Sequence, residues 1–183
     1  MNTSQPQLVI LRQGGLIEYR VENWRLSRDG SDRVVWGVTG WQWYYALIPL
    51  IVSILWPRIN ESLVYLTAVG LALTGFAYRK CTQVLWESVL FFPFIGIQLE
   101  THRGLPWFAP LTIDRQFIPL GALEDFIINE GLHGWNVRYY AAALTSTESG
   151  AIRAHVAFPN ILPHFPVLLE VYRGVQRDLS NAV

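Results

Sequence analysis

Two uncharged stretches limit what this chain can become. Val34 to Pro57 carries no charge over 24 positions, and Ser62 to Tyr78 none over 17. As helices they would measure about 36 and 26 Å. Trp41, Trp43, Tyr44 and Tyr45 gather at one end of the first stretch, Trp56 closes the other, and Tyr78 ends the second. Amphipathic rings in those places mark membrane interfaces. Two all-round apolar helices in one short chain leave too little protein to cover them. The pattern predicts a transmembrane hairpin with spans at about 40–56 and 62–78, tolerable in a thin bilayer such as that of the endoplasmic reticulum. Its charged fraction of 15% and its eight Trp lean the same way.

The connection between the runs is short, so the helices are antiparallel and both termini share a side. Arg20, Arg25, Arg28 and Arg33 precede the first run, and Arg79 and Lys80 follow the second. The positive-inside rule puts both ends in the cytosol and the turn in the lumen. Pro49 is expected to kink the first helix, Pro57 to stop it, and Asn60 to cap the next. Asn60-Glu61-Ser62 matches the glycan-acceptor pattern, yet it is expected unmodified, pressed against the bilayer. Thr67, Gly70 and Thr74 fall with Ala77 on one helix face, where small side chains admit a close neighbour, either the first helix or another subunit.

Outside the runs the period changes. Leu8–Glu22 holds Gly14-Gly15 between two β-prone segments, a hairpin signal. Strands are predicted at 83–92, 94–101, 116–120, 123–130, 137–145 and 151–158. Leu168, Tyr172, Val175 and Leu179 then recur at helical spacing. The expected fold is an α+β membrane protein: a two-helix transmembrane hairpin plus a cytosolic antiparallel β-sheet domain closed by a C-terminal amphipathic helix. By analogy the last part resembles pleckstrin-homology (PH) architecture. The division is 1–33 (a cytosolic segment with the β-hairpin), 34–80 (the transmembrane hairpin) and 81–183 (the PH-like domain).

Signals for chemistry are few. The net charge is zero, which gives no basic excess for nucleic acid. The lone Cys81 permits no internal disulfide and no multi-thiolate metal site. His102, His133, His155 and His164 lack metal-ligand spacing and read as surface or satisfied residues; no serine sits in a nucleophile elbow, and the glycines form no nucleotide cradle. No catalytic, cofactor-binding or metal residue is assigned. Gly104–Leu111 reads as a loop folded over the sheet, whose alternative is an apolar tip, through Trp107 and Phe108, that meets a partner or a membrane interface.

Three blocks carry a resemblance: Glu87–Thr101 (ESVLFFPFIGIQLET), Arg115–Gly131 (RQFIPLGALEDFIINEG) and Val156–Val175 (VAFPNILPHFPVLLEVYRGV). They resemble the PIG-H family, a subunit of the complex that transfers N-acetylglucosamine (GlcNAc) to phosphatidylinositol. The resemblance implies a non-catalytic subunit in the first step of glycosylphosphatidylinositol (GPI) anchor synthesis. Its partners would be a PIG-A-type catalytic subunit, other subunits of the complex and lipids of the endoplasmic reticulum membrane. It also implies a multi-pass location in that membrane, with the chain anchoring and positioning the catalytic subunit there. Transferases of the catalytic type carry glutamates eight positions apart, and no two glutamates here are so spaced. Asn129 and Glu130 are expected at a strand end, holding a turn or meeting a partner. Arg173, on the terminal helix, is a candidate contact to a partner or to lipid phosphate. The competing reading is a PH-like, membrane-anchored lipid-binding adaptor without an enzyme partner, which would need a basic pocket; no dense Lys and Arg cluster is visible in the sequence.

Overall fold

The computed structural model describes residues 7–26, 34–36, 43–105, 108–146 and 150–182. The chain opens with β1 (Gln7–Gln13) and β2 (Leu16–Glu22), an antiparallel pair. Gly14 and Gly15 turn between them at φ 58° and 87°, the left-handed region that two-residue hairpin turns require. A short pair, β3 (Trp24–Leu26) and β4 (Val34–Trp36), follows. A 3₁₀ turn, Trp43–Ala46, then leads into α1 (Leu47–Asn60) and α2 (Leu63–Cys81).

After the helices come β5 (Val84–Phe92), β6 (Gly96–Arg103) and β7 (Thr112–Pro119). β2 pairs with β5 across the whole helical excursion, and the order β1-β2-β5-β6-β7 forms one antiparallel sheet. A second sheet has the order β10-β9-β8, from β8 (Leu123–His133), β9 (Asn136–Ser146) and β10 (Ile152–Ala157). The last element is α3 (Phe165–Ala182).

Period-two alternation decides which face of the first sheet is dry. Tyr19, Val21, Val89, Phe91, Ile97, Leu99 and Ile118 point inward. They meet Phe126 of β8, Ala141 and Ala143 of β9, and Leu168, Val171 and Val175 of α3. Fully burying a large apolar side chain contributes about 1.5–3 kcal/mol, so this cluster is the main driving force of the fold. Gly174 fits α3 to the sheet: a Cβ there would lie 2.3 Å from the Tyr19 hydroxyl.

The expected membrane architecture is corrected. No helix among the described residues is long and apolar enough to cross a membrane. The 24-residue uncharged run does not become one helix. Residues 37–42 lie outside the described residues, 43–46 form the 3₁₀ turn, and α1 has 14 residues, about 21 Å. α2 has 19 residues, but Arg79 and Lys80 occupy its last turn, and its uncharged part, 63–78, reaches about 24 Å. A bilayer's hydrocarbon core is about 30 Å thick. The multi-pass location with both termini cytosolic falls with the transmembrane hairpin.

Local expectations about the helices change as well. Pro49 sits in the first turn of α1, where a missing N–H breaks no helical bond. Pro57 does not stop the helix; it lies inside α1, which runs on to Asn60. Asn60 is not a cap either. Ser62 holds that position for α2, in an extended conformation and without a side-chain bond.

Candidate functional site

Strand pairing builds a polar row on the outer face of the five-stranded sheet. Arg20, Ser88, Glu100 and Arg115 stand side by side across β2, β5, β6 and β7. Glu22, Trp86 and His102 form the neighbouring row. Glu100 is the hub. It receives His102 Nε2 at 2.7 Å, Arg115 Nε at 2.9 Å and the Gln98 amide. Burial alone would raise its pKa, but the bonds from His102, Gln98 and Arg115 outweigh it and hold the carboxyl below its ordinary value. Trp86 stacks on His102 at 4.5 Å, and the Arg20 guanidinium lies 5.0 Å above Trp86. Glu18 in turn holds Arg20 at 2.9 Å.

A carboxylate-held histidine is a general-base geometry where its second nitrogen can reach substrate. Here that nitrogen, His102 Nδ1, is buried and has no hydrogen-bond partner, and the same is true of Trp86 Nε1 and Ser88 Oγ. The arrangement orders the sheet face and presents no reacting atom. Period-two reading of Gln98, Glu100 and His102 would have put these three on one face. The sequence boundary, drawn at Thr101, separated His102 from its strand.

A second carboxylate works on the inner side. Glu87 is 1% exposed. It accepts from the Asn160 side-chain amide at 2.6 Å, from the backbone N–H groups of Asn160 and Ile161, and from Thr101 Oγ1. The segment it grips is strained: Phe158 and Leu162 have φ of 58° and 46°. Glu87 therefore ties β5 to the segment that delivers α3.

The residues expected from the sequence are scattered. Trp107 lies outside the described residues. Phe108 is 71% exposed beside a shortened loop, because β6 runs to Arg103 and β7 begins at Thr112. Asn129 and Glu130 do not close a strand; they sit within β8, which continues to His133. The Asn129 side chain accepts from the Glu130 N–H at 2.8 Å. Glu130 faces Tyr139 across β9 and accepts a hydrogen bond from its phenol, which raises the Tyr139 pKa. Arg173 is exposed on α3 and lines a cleft against β1 and β2.

Thr67 and Thr74 bond to their own helix, at the carbonyls of Val64 and Gly70. A Cβ on Gly70 would meet nothing within 4 Å, so the small-residue face is not packed against α1. Instead α2 places the Phe76 ring 5.3 Å from Tyr45 of the 3₁₀ turn that precedes α1. Elsewhere the helical pair exposes large apolar side chains, with Ile51, Ile54, Leu63, Val64 and Leu71 more than half accessible, and no residue of α2 is buried. Among the described residues no cluster of His, Cys, Asp and Glu could hold a metal ion.

Comparison with known proteins adds a family. The model of "GPI-GlcNAc transferase complex, PIG-H component" matches residues 88–159. The chain is 30% identical over 118 residues to phosphatidylinositol N-acetylglucosaminyltransferase subunit gpi15 of Schizosaccharomyces pombe, which covers 64% of this chain and 69% of that protein. It is 25% identical over 126 residues to the H component of the same transferase in Homo sapiens, covering 67% of this chain and 62% of the human protein. With the corresponding component of Mus musculus it shares 26% over 168 residues, 90% of this chain and 81% of the mouse protein.

Proposed function

From the fact that the chain belongs to the PIG-H family, we propose that it is a non-catalytic subunit of the complex that transfers GlcNAc from UDP-GlcNAc to phosphatidylinositol. In this role it keeps a PIG-A-type catalytic subunit in register with its lipid acceptor. Positioning two reactants can be worth several orders of magnitude in rate without any chemistry from the positioning protein. The observation that carries the reading is the relationship to proteins named as subunits of that transferase. Two structural facts support it. The most organised acid–base pair, Glu100 with His102, has its outer nitrogen sealed beneath neighbouring side chains. The exposed apolar flanks of α1 and α2 find no cover within the described residues, as suits a chain that works inside an assembly.

The test is affinity isolation of the full chain in mild detergent, followed by mass spectrometry. Recovery of a PIG-A-type transferase is the expected result. Isolation without any glycosyltransferase overturns the subunit reading. Formation of GlcNAc-phosphatidylinositol by the purified chain alone overturns the non-catalytic role.

A further inference from the structure

A cleft of about 370 Å³ opens where the N-terminal hairpin crosses α3. That is within the range of small-molecule sites. Arg12 of β1 stands on one wall, and Arg173 and Arg177, one helical turn apart, stand on the other. These three residues come from opposite ends of the chain, which is why the sequence shows no basic cluster. Among the described residues no carboxylate lies within ion-pair distance of their guanidinium groups. Three guanidinium groups outside any ion pair around one concavity repel each other and, outnumbering the two carboxylates that share it, favour an anion. Their planar forks suit phosphate oxygens in particular.

The cleft is not uniformly basic. Glu170 and Asp178 also line it. Tyr19 forms the floor, its hydroxyl donating to Asp178 Oδ2 at 2.7 Å. Burial, and then that bond, raise the Tyr19 pKa, so the phenol keeps its proton at neutral pH. The absent side chain at Gly174 is what lets this ring lie against the helix. A bare phosphate gains nothing from carboxylates. A ligand with one phosphate and several hydroxyls gains from both, because its hydroxyls donate to the carboxylates while its phosphate takes the arginines.

We infer that this cleft binds a phosphoinositol group, with Arg12, Arg173 and Arg177 on the phosphate and Glu170 and Asp178 on ring hydroxyls. The choice of inositol over another polyol rests on the subunit reading above; the phosphate-and-hydroxyl chemistry rests on the cleft. Such a site lets the subunit present the acceptor lipid's headgroup to its catalytic partner.

The test uses the full chain and co-sedimentation with phosphatidylcholine vesicles carrying either phosphatidylinositol or an equal fraction of phosphatidylserine. Binding is expected to favour phosphatidylinositol. The double substitution Arg173→Ala/Arg177→Ala is expected to weaken it about tenfold or more, since each guanidinium makes charge-assisted bonds. Both residues are exposed, so unchanged circular dichroism should accompany the loss. Arg173→Lys keeps the charge without the fork and should fall between. Glycerophosphoinositol, titrated in solution, separates the sources: saturable binding means that the headgroup suffices, and binding to vesicles alone means that the intact lipid is required. Equal binding to both vesicle types, or a double variant that binds as the wild type does, overturns the proposal. So does a double variant that keeps lipid binding but no longer recovers the transferase, because the arginines would then face an acidic protein surface. If the wild-type chain binds phosphatidylinositol through these arginines but recovers no transferase, the subunit reading fails and the site stands.

Discussion

Single carboxylates decide more of this structure than their number suggests. Glu87 is buried and satisfies four donors, so Glu87→Ala leaves those groups without an acceptor. The expected loss is about 3 kcal/mol or more, from the lost hydrogen bonds and the cost of several orphaned buried donors. Urea denaturation would measure it, and Glu87→Gln, which keeps an acceptor, should lose less. Glu100 makes a pH prediction. Its folded pKa lies below the ordinary 4.5 of a glutamate. A depressed carboxyl stabilises the fold fully above the unfolded value and loses that contribution as pH falls through the folded one. The stability gap between wild type and Glu100→Gln should therefore be constant near neutrality and shrink below pH 4.5, as followed by thermal melts across pH. Period-two spacing along β6 hints at the Glu100 grouping, but the role of Glu87 is not legible in the sequence. Glu87 could be read only as the start of a motif, because its partners Asn160 and Ile161 lie 73 and 74 positions away.

At the scale of elements, local pattern was a good guide where period and turn chemistry agree. Gly14-Gly15 marked the first hairpin, and the 3.6-residue stripe marked α3. It failed for length. Strand β7 reaches back to Thr112 through a stretch rich in charge and exposed apolar groups, which read as loop. It also failed for the helices, because lack of charge says where a helix is permitted and not how long one forms. Two glycines give opposite predictions. A Cβ on Gly96 would lie 2.2 Å from the Ile118 carbonyl and 3.0 Å from the Pro119 Cα, both backbone. Gly96→Ala should destabilise by about 1–3 kcal/mol and raise hydrogen exchange along β6 and β7. Gly70 has open space around its Cα. There Gly70→Ala should stabilise α2 by about 0.5–1 kcal/mol, because alanine loses less backbone freedom on entering a helix. A rise in melting temperature would show it.

For the whole molecule, the resemblance to PIG-H was carried by segments that prove to be adjacent in space. Glu100 of the first block and Arg115 of the second are bonded across β6 and β7, and Glu87 grips the third block at Asn160. The arginine cleft was not legible, because Arg12 is separated from Arg173 by most of the chain and only sheet order brings them together. The same order has a consequence for how such chains can vary. The path leaves the first sheet at Glu22 and re-enters it at Val84, two residues before Trp86, the partner of Glu22 on the neighbouring strand. Everything between is an excursion whose two ends already sit side by side, about 5 Å apart at ordinary strand spacing. Closure entropy grows only with the logarithm of loop length, about 0.6 kcal/mol for each doubling. The sheet is thus nearly indifferent to what the excursion contains. A helical pair of another length, or a short flexible bridge in its place, could be spliced there while β2 and β5 keep their register, leaving evolution free to refit the helices to new neighbours without refolding the rest.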